Sequence, residues 1–215
     1  MAHYSVSVET RTKCLMKEVW ELPSAPDGEF EPENEKRHAK GMIRIKQMIA
    51  AGADQSRPAK FGGSGFTTTP MIVAAANGDA ICLSFLLSAP FASPDFVDEC
   101  GECALTHAAR YGSSKCVAML APFCDPNIKD SFGHTALAVA MLNGNSEAVA
   151  ILAPITDLNA RDDEGKTARQ LAESDARQYL PLLDSILERL ELDEAIGAGS
   201  VGQAEHPGCR RRSSL

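Results

Sequence analysis

No run of apolar residues in this chain of 215 approaches the length needed to span a bilayer. The N-terminus, with Met1, His3 and Tyr4 ahead of the alternation Ser5-Val6-Ser7-Val8-Glu9, has no apolar stretch of the kind a secretory signal requires. Positive charge is scarce as well. Lysine and arginine number 21 against 29 aspartates and glutamates, a formal net charge of −8, which disfavours nonspecific attraction to nucleic acid or to acidic membranes. These absences leave proteins as the expected partners, with neither nucleic-acid binding nor membrane insertion expected. The seven cysteines are odd in number and scattered, a usage that fits a reducing compartment better than a disulfide framework, so a cytoplasmic or nuclear location is expected. A phosphate-binding loop is missing too: Gly62-Gly63-Ser64-Gly65 lacks the lysine and the following hydroxyl residue that such a loop needs.

What the chain does have is a period. Three segments align without a gap from a shared Ala-Pro: APFASPDFVDECGEC from Ala89, APFCDPNIKDSFGHT from Ala121 and APITDLNARDDEGKT from Ala153. Glycines at Gly78, Gly112 and Gly144 set the spacing at 34 and then 32 residues. Ahead of each glycine the apolar positions follow the i, i+3, i+4 rule of one helical face. Met71, Ala74 and Ala75 correspond to Leu105, Ala108 and Ala109, and then to Leu137, Ala140 and Met141. Beyond each glycine a second apolar face recurs: Cys82, Leu83, Phe85 and Leu86, then Cys116, Val117, Met119 and Leu120, then Ala148, Val149, Ile151 and Leu152. The spacing predicts paired helices, the second of each pair stopped by Pro90, Pro122 or Pro154, because proline lacks an amide donor and clashes with the preceding turn.

With Thr69-Pro70-Met71, the Ala-Ala-x-x-Gly of Ala108 to Gly112, and Gly133-His134-Thr135-Ala136-Leu137, this pattern resembles the ankyrin repeat. Ile45, Met48, Ile49 and Ala51-Gly52-Ala53-Asp54 resemble the end of an earlier unit. The resemblance covers roughly 33–195 and implies an all-α solenoid of helix–turn–helix units joined by hairpin loops, with units at about 33–58, 66–98, 99–130, 131–162 and 163–195. There are departures from the motif. Its proline is replaced by Ala104, Ala136 and Ala168, and its histidine by Ile72, Thr106, Ala138 and Gln170. The final unit, with Leu182, Leu183, Ile186, Leu187 and Leu190 in its second helix, resembles a terminal cap.

Residues 1–32, which hold Trp20, Pro23, Pro26 and Pro32, are expected to be mostly irregular, with Leu15, Met16, Val19 and Trp20 packing on the first unit. The glycine-rich stretch from Ala59 to Thr68 is expected to form a flexible finger. Residues 196–215, ending in Arg210-Arg211-Arg212-Ser213-Ser214-Leu215, have the composition of a disordered basic tail. Two short signals overlap there. Ser213 and Leu215 fit a C-terminal motif for a PDZ-like domain, and Arg210 to Ser214 fits a basic-directed kinase site.

Candidate chemistry is sparse, and an enzyme is not expected. Cys100 and Cys103 form a C-x-x-C with Cys103 at a helix start, where free amides favour a thiolate; a thiol- or metal-responsive switch is the alternative function this pair suggests. Against it, Gly101 is the turn glycine of the repeat, Cys103 replaces its threonine, and no second C-x-x-C follows. A zinc site from Cys100, Cys103, Cys116 and Cys124 would draw ligands from different layers, so neither metal nor cofactor is expected. His107 and His134 are acid–base groups in type alone, without a carboxylate partner at repeat-compatible spacing, and are expected on the surface. Asp162, Asp163 and Glu164 fall on a hairpin tip, where a solvated turn accounts for them.

The resemblance also implies where a partner binds. In the ankyrin architecture, hairpin tips and the ends of first helices form a concave face. Phe66, Cys100, Phe132 and Glu164 share one tip position, and Glu102, His134 and Lys166 share another. Arg110 and Tyr111, then Leu142 and Asn143, precede turn glycines and are expected to point into the groove. The expected partner-binding set is therefore Phe66, Glu102, Arg110, Tyr111, Phe132, His134, Leu142, Asn143 and Lys166, with aromatic and arginine anchors prominent.

Overall fold

The computed structural model describes residues 7–23, 32–54, 58–61, 66–88 and 93–199. Helices dominate: α1 (Val8–Trp20), α2 (Pro32–Ala50), α3 (Pro70–Ala76), α4 (Ala80–Leu87), α5 (Ala104–Tyr111), α6 (Ser114–Leu120), α7 (Ala136–Leu142), α8 (Ser146–Leu152), α9 (Ala168–Asp175) and α10 (Leu180–Gly199). Two short strands, β1 (Ala59–Phe61) and β2 (Phe66–Thr68), pair antiparallel between α2 and α3.

The helices form two layers. First helices stack in the order α3, α5, α7, α9, and second helices stack as α4, α6, α8. The stacking follows from the repeated faces: Leu105, Ala108, Ala109, Leu137 and Ala140 are fully buried, as are Leu83, Cys116, Val117, Leu120, Val149 and Leu152. Alanine at the recurring first-helix positions lets neighbouring helices approach closely, while leucine fills the space between layers. Phe85 and Ile151 pack only partly against this core. Helices α6 and α8 both end just short of a proline, Pro122 and Pro154. No helix among the described residues is long and apolar enough to cross a membrane.

Three expectations need correction. The N-terminal segment, expected to be mostly irregular, holds a helix, α1, over thirteen of its residues. Ser7 caps α1 by accepting from the Thr10 amide, Glu9 and Lys13 pair one turn apart at 2.9 Å, and Thr12, Leu15, Met16 and Val19 form a single buried stripe. Trp20, by contrast, is exposed. Helix α1 packs on α2 and α3 and covers the open end of the core, and the Asn77 side chain donates to Val19 O at 3.3 Å across that junction. The expected flexible finger holds an ordered ladder, with Ala59 opposite Thr68 and Phe61 opposite Phe66; β-branched and aromatic residues at these positions favour the pleat. Finally, α10 runs through Gly199, so the expected tail does not begin at 196. Residues 200–215, including Ser213, Ser214 and Leu215, lie outside the described residues.

Candidate functional site: the hairpin side of the repeats

Each unit between α4 and α9 begins with a hairpin organised by one aspartate. Asp98 Oδ1 accepts from the Cys100 and Glu102 amides, each at 2.9 Å. Asp130 Oδ1 does the same for Phe132 and His134, and Asp162 Oδ1 accepts from Lys166 at 2.8 Å. Successive hairpins are bonded to each other, Ser131 N to Cys100 O at 2.9 Å and Asp163 N to Phe132 O at 3.2 Å. Carboxylates that accept backbone amides fix the turn. The side chains at the tips are therefore presented on a rigid ladder.

One continuous chain of contacts crosses two of these units. The Tyr111 ring lies parallel to the His107 ring, centroids 6.3 Å apart. His107 donates from Nε2 to Asp98 Oδ2 at 2.9 Å and lies 3.5 Å from Glu102 Oε2. Glu102 accepts from Arg110, whose guanidinium is 4.0 Å from Asp130 Oδ2. His134 Nδ1 lies 3.8 Å from that same Asp130 oxygen, and the Phe132 ring stacks on His134 with centroids 6.1 Å apart. The ribbon thus runs from Tyr111 to Phe132 with an ion network between. Both end rings face solvent, Tyr111 at 61% and Phe132 at 66% relative exposure.

Of the anticipated residues, Tyr111, Phe132 and Leu142 are exposed apolar groups. Asn143 is exposed, but its amide is turned back onto its own helix, donating to Val139 O at 2.8 Å. Lys166 pairs with Glu164 at 2.7 Å, and that hydrogen bond and charge hold its ammonium pKa above the ordinary value. The backbone of Phe66 lies in β2, while its side chain falls outside the described residues.

Four expectations change here. Glu102 is buried rather than displayed at a tip, because Arg110 and His107 hold it against α5. Arg110 is accordingly a clamp on Glu102 rather than a free anchor. Neither His107 nor His134 is a bare surface histidine: each is partly buried against carboxylates, Asp98 and Glu102 for His107, Asp130 and Asp162 for His134. Asp162 is likewise not a solvated tip residue, since it organises the last hairpin. The signal for all three aspartates was available, as Asp98, Asp130 and Asp162 occupy one position of the aligned units. A second apolar feature has no counterpart among the expected residues: Phe123 and Ile155, both just after the repeated Ala-Pro, are exposed beyond the C-terminal ends of α6 and α8.

The cysteines have the character of packing groups. Cys82, Cys103, Cys116 and Cys124 are buried and free, while Cys14 and Cys100 are exposed. Burial pushes the thiols of Cys82, Cys116 and Cys124 up. At Cys100 slight desolvation and the charges of Asp98, Glu102 and Glu99 push the thiol up as well, the opposite of the activation a reactive thiolate needs. Cys103 occupies the N-cap of α5 without capping through its side chain; its sulfur lies 3.4 Å from Thr106 Oγ1. Among the described residues the grouping with metal-ligand spacing is Asp98, Glu102 and His107, with ligand atoms within 4.8 Å of one another. It contains no cysteine, and its atoms are engaged by one another and by Arg110.

A family model described as ankyrin repeats, in three copies, matches residues 39–130. A search of the curated proteins gave no match. Beyond residue 130, α7 and α8 repeat the arrangement of α5 and α6, with the same hairpin aspartate, the same left-handed turn glycine and the same buried face.

Proposed function

We propose that the chain is an adaptor whose partner lies along the hairpin side, across Tyr111, Phe132 and Leu142, on the premise that residues 39–130 match the ankyrin repeats, a family that generally mediates protein–protein interaction and is typically non-enzymatic. One observation carries this reading. Two aromatic rings and a leucine stand exposed at positions that the packing of the repeats does not bury, Phe132 on a hairpin whose backbone is tied to its neighbours and Tyr111 and Leu142 at the C-terminal ends of α5 and α7. Rigid, exposed aromatics bind at low entropic cost and are the usual anchors of a protein interface. The neighbouring ion network fixes their orientation through the stacked histidines.

The test is affinity purification with mass spectrometry on the full chain and on the Tyr111→Ala/Phe132→Ala double variant. The variant is expected to lose the partners captured by the parent while its thermal unfolding stays close to parental, since both rings are largely exposed. Capture of the same partners at the same recovery would remove the hairpin side as the binding surface.

A further inference from the structure

The charge of this chain is concentrated on the surface just described. The segments 95–103, 125–135 and 157–167 carry ten acidic residues and three basic ones, a net of seven negative charges against eight for the whole chain. Among the exposed members, Glu99 stands on the first of these hairpins and Asp163 and Glu164 stand on the third with Lys166, flanking the hairpin of Phe132. Deeper in, the Asp130 side chain is 1% exposed, and its Oδ2 accepts no hydrogen bond. The nearest basic groups are the Arg110 guanidinium and the His134 imidazole, at 4.0 and 3.8 Å. The negative field beneath the two aromatic rings is therefore only partly neutralised from within the chain.

Aromatic faces and carboxylates attract the same chemistry. A guanidinium or ammonium group over the face of Tyr111 or Phe132 gains from the ring quadrupole and, at this site, from the surrounding negative potential. Arginine adds planar contact with the ring and a donor fork for carboxylates such as Glu99, Asp163 and Glu164. We propose that the hairpin side binds a basic, arginine-bearing segment of a partner protein, its cationic side chains lying over Tyr111 and Phe132 and against the hairpin carboxylates. The proposal rests on the reading of this side as the binding surface, and it adds the chemistry of what is bound. An acidic or apolar segment would meet the same rings, but the first would be repelled by the turns and the second would leave their charge unused.

The experiment pans a phage-displayed library of random 12-residue peptides against the folded full chain, then measures enriched peptides by fluorescence anisotropy. Targets are the parent, Tyr111→Ala/Phe132→Ala, and the charge variant Glu99→Gln/Asp163→Asn/Glu164→Gln, with circular dichroism confirming that each is folded. The expected result is enrichment of arginine-rich sequences whose affinity falls roughly tenfold or more in the aromatic variant, the loss typical of an anchor. Affinity should also weaken in the charge variant and as salt rises from low to physiological strength, where the Debye length shrinks to about 8 Å. Neutral or acidic sequences that still depend on Tyr111 and Phe132 would overturn the basic partner and leave the binding surface standing. Basic sequences that bind the aromatic variant as well as the parent would overturn both, and so would failure to enrich any sequence.

Discussion

Alanine at each of the three hairpin glycines should destabilise the protein by unequal amounts, in the order Gly133, Gly101, Gly165. All three have the same left-handed backbone, φ of 74° at Gly101, 76° at Gly133 and 79° at Gly165, so the conformational penalty of a Cβ is common to them, about 1–2 kcal/mol. The reduced freedom of the unfolded chain is common as well. What differs is clearance. A Cβ on Gly133 would lie 2.6 Å from the Asp163 amide nitrogen, one on Gly101 would lie 3.2 Å from the Asp130 and Ser131 backbone, and one on Gly165 would meet nothing within 4 Å. Each of the first two is pressed against the next hairpin, and among the described residues no hairpin follows the third.

Backbone cannot swing aside as the end of a flexible side chain can, so Gly133→Ala forces the 130–134 and 162–166 hairpins apart. Overpacking of this kind costs about 1–3 kcal/mol, which puts Gly133→Ala at roughly 2–5 kcal/mol in all, Gly165→Ala at about 1–2 kcal/mol, and Gly101→Ala between them. For a chain of this size each kcal/mol lowers the unfolding midpoint by about 2–4 °C. Urea and thermal unfolding followed by circular dichroism would rank the three variants. A Gly165→Ala variant as damaged as Gly133→Ala would refute the reasoning, because the penalty would then reside in the turn conformation and not in the stacking of hairpins.

Further outcomes follow from the packing and the thiols. Leu137→Ala, at a fully buried position of α7 between its neighbours, should cost about 2–5 kcal/mol, read as a lower urea midpoint; a loss below half a unit would mean the two layers repack freely. Asn145 donates through its side chain to Ala109 O at 2.6 Å and Arg110 O at 3.0 Å, so Asn145→Ala should lose about 1–3 kcal/mol by orphaning carbonyls of the neighbouring repeat. In the native protein, of the six cysteines in the described residues, Cys14 and Cys100 should react with a thiol reagent while Cys82, Cys103, Cys116 and Cys124 react only on unfolding; mass mapping of the modified sites checks this. The Cys82 thiol, pushed up from 9.0 chiefly by burial, is protonated in both states at neutral pH. Above pH 9 the unfolded thiol ionises first, so its contribution is intact below that pH and is lost as pH rises. Stability measured against pH should fall there less steeply for Cys82→Ala than for the parent.

The repeat was legible in the sequence because burial imposes a period. A position facing the neighbouring helix must be small or apolar in every unit, so Ala108, Ala140, Val117 and Val149 reveal the fold by spacing alone. The end helix α1 was not legible by that route, having no copy elsewhere in the chain to align with. The packing of Leu15, Met16 and Val19 could be expected, but the alternation at Ser5 to Glu9 and the prolines that follow obscured the helix that carries them. The exposed half of the site was also legible, since Tyr111, Phe132 and Leu142 sit where the repeat cannot bury them. The polar half was not. Alignment places Glu102 and Arg110 at outward positions, but whether a long side chain stays outward depends on a partner within reach. Arg110 stands two turns along α5 from its N-terminus, and Glu102 is just before that terminus, so the pair closes on itself.

That closure bears on how the acidic charge divides between architecture and recognition. Asp98, Asp130 and Asp162 are required by the turns, and Glu102 is committed to Arg110 and His107, so neutralising any of these would disturb the hairpins along with the field. Glu99, Asp163 and Glu164 are exposed, and their carboxylates carry none of the hydrogen bonds that close the turns. A turn needs one aspartate in each hairpin and nothing more. Carboxylates beyond that number raise the repulsion within the ladder, which lies on a chain already at −8; set against it are an exposed hydrogen bond from Thr67 Oγ1 to Glu99 and an exposed pair of Glu164 with Lys166, contacts of small worth. Substituting Glu99, Asp163 and Glu164 by their amides should therefore raise the unfolding midpoint slightly while weakening the capture of a cationic partner. If the same variant lowered stability, these carboxylates would belong to the architecture, and the charge of the hairpin side would no longer point to a partner.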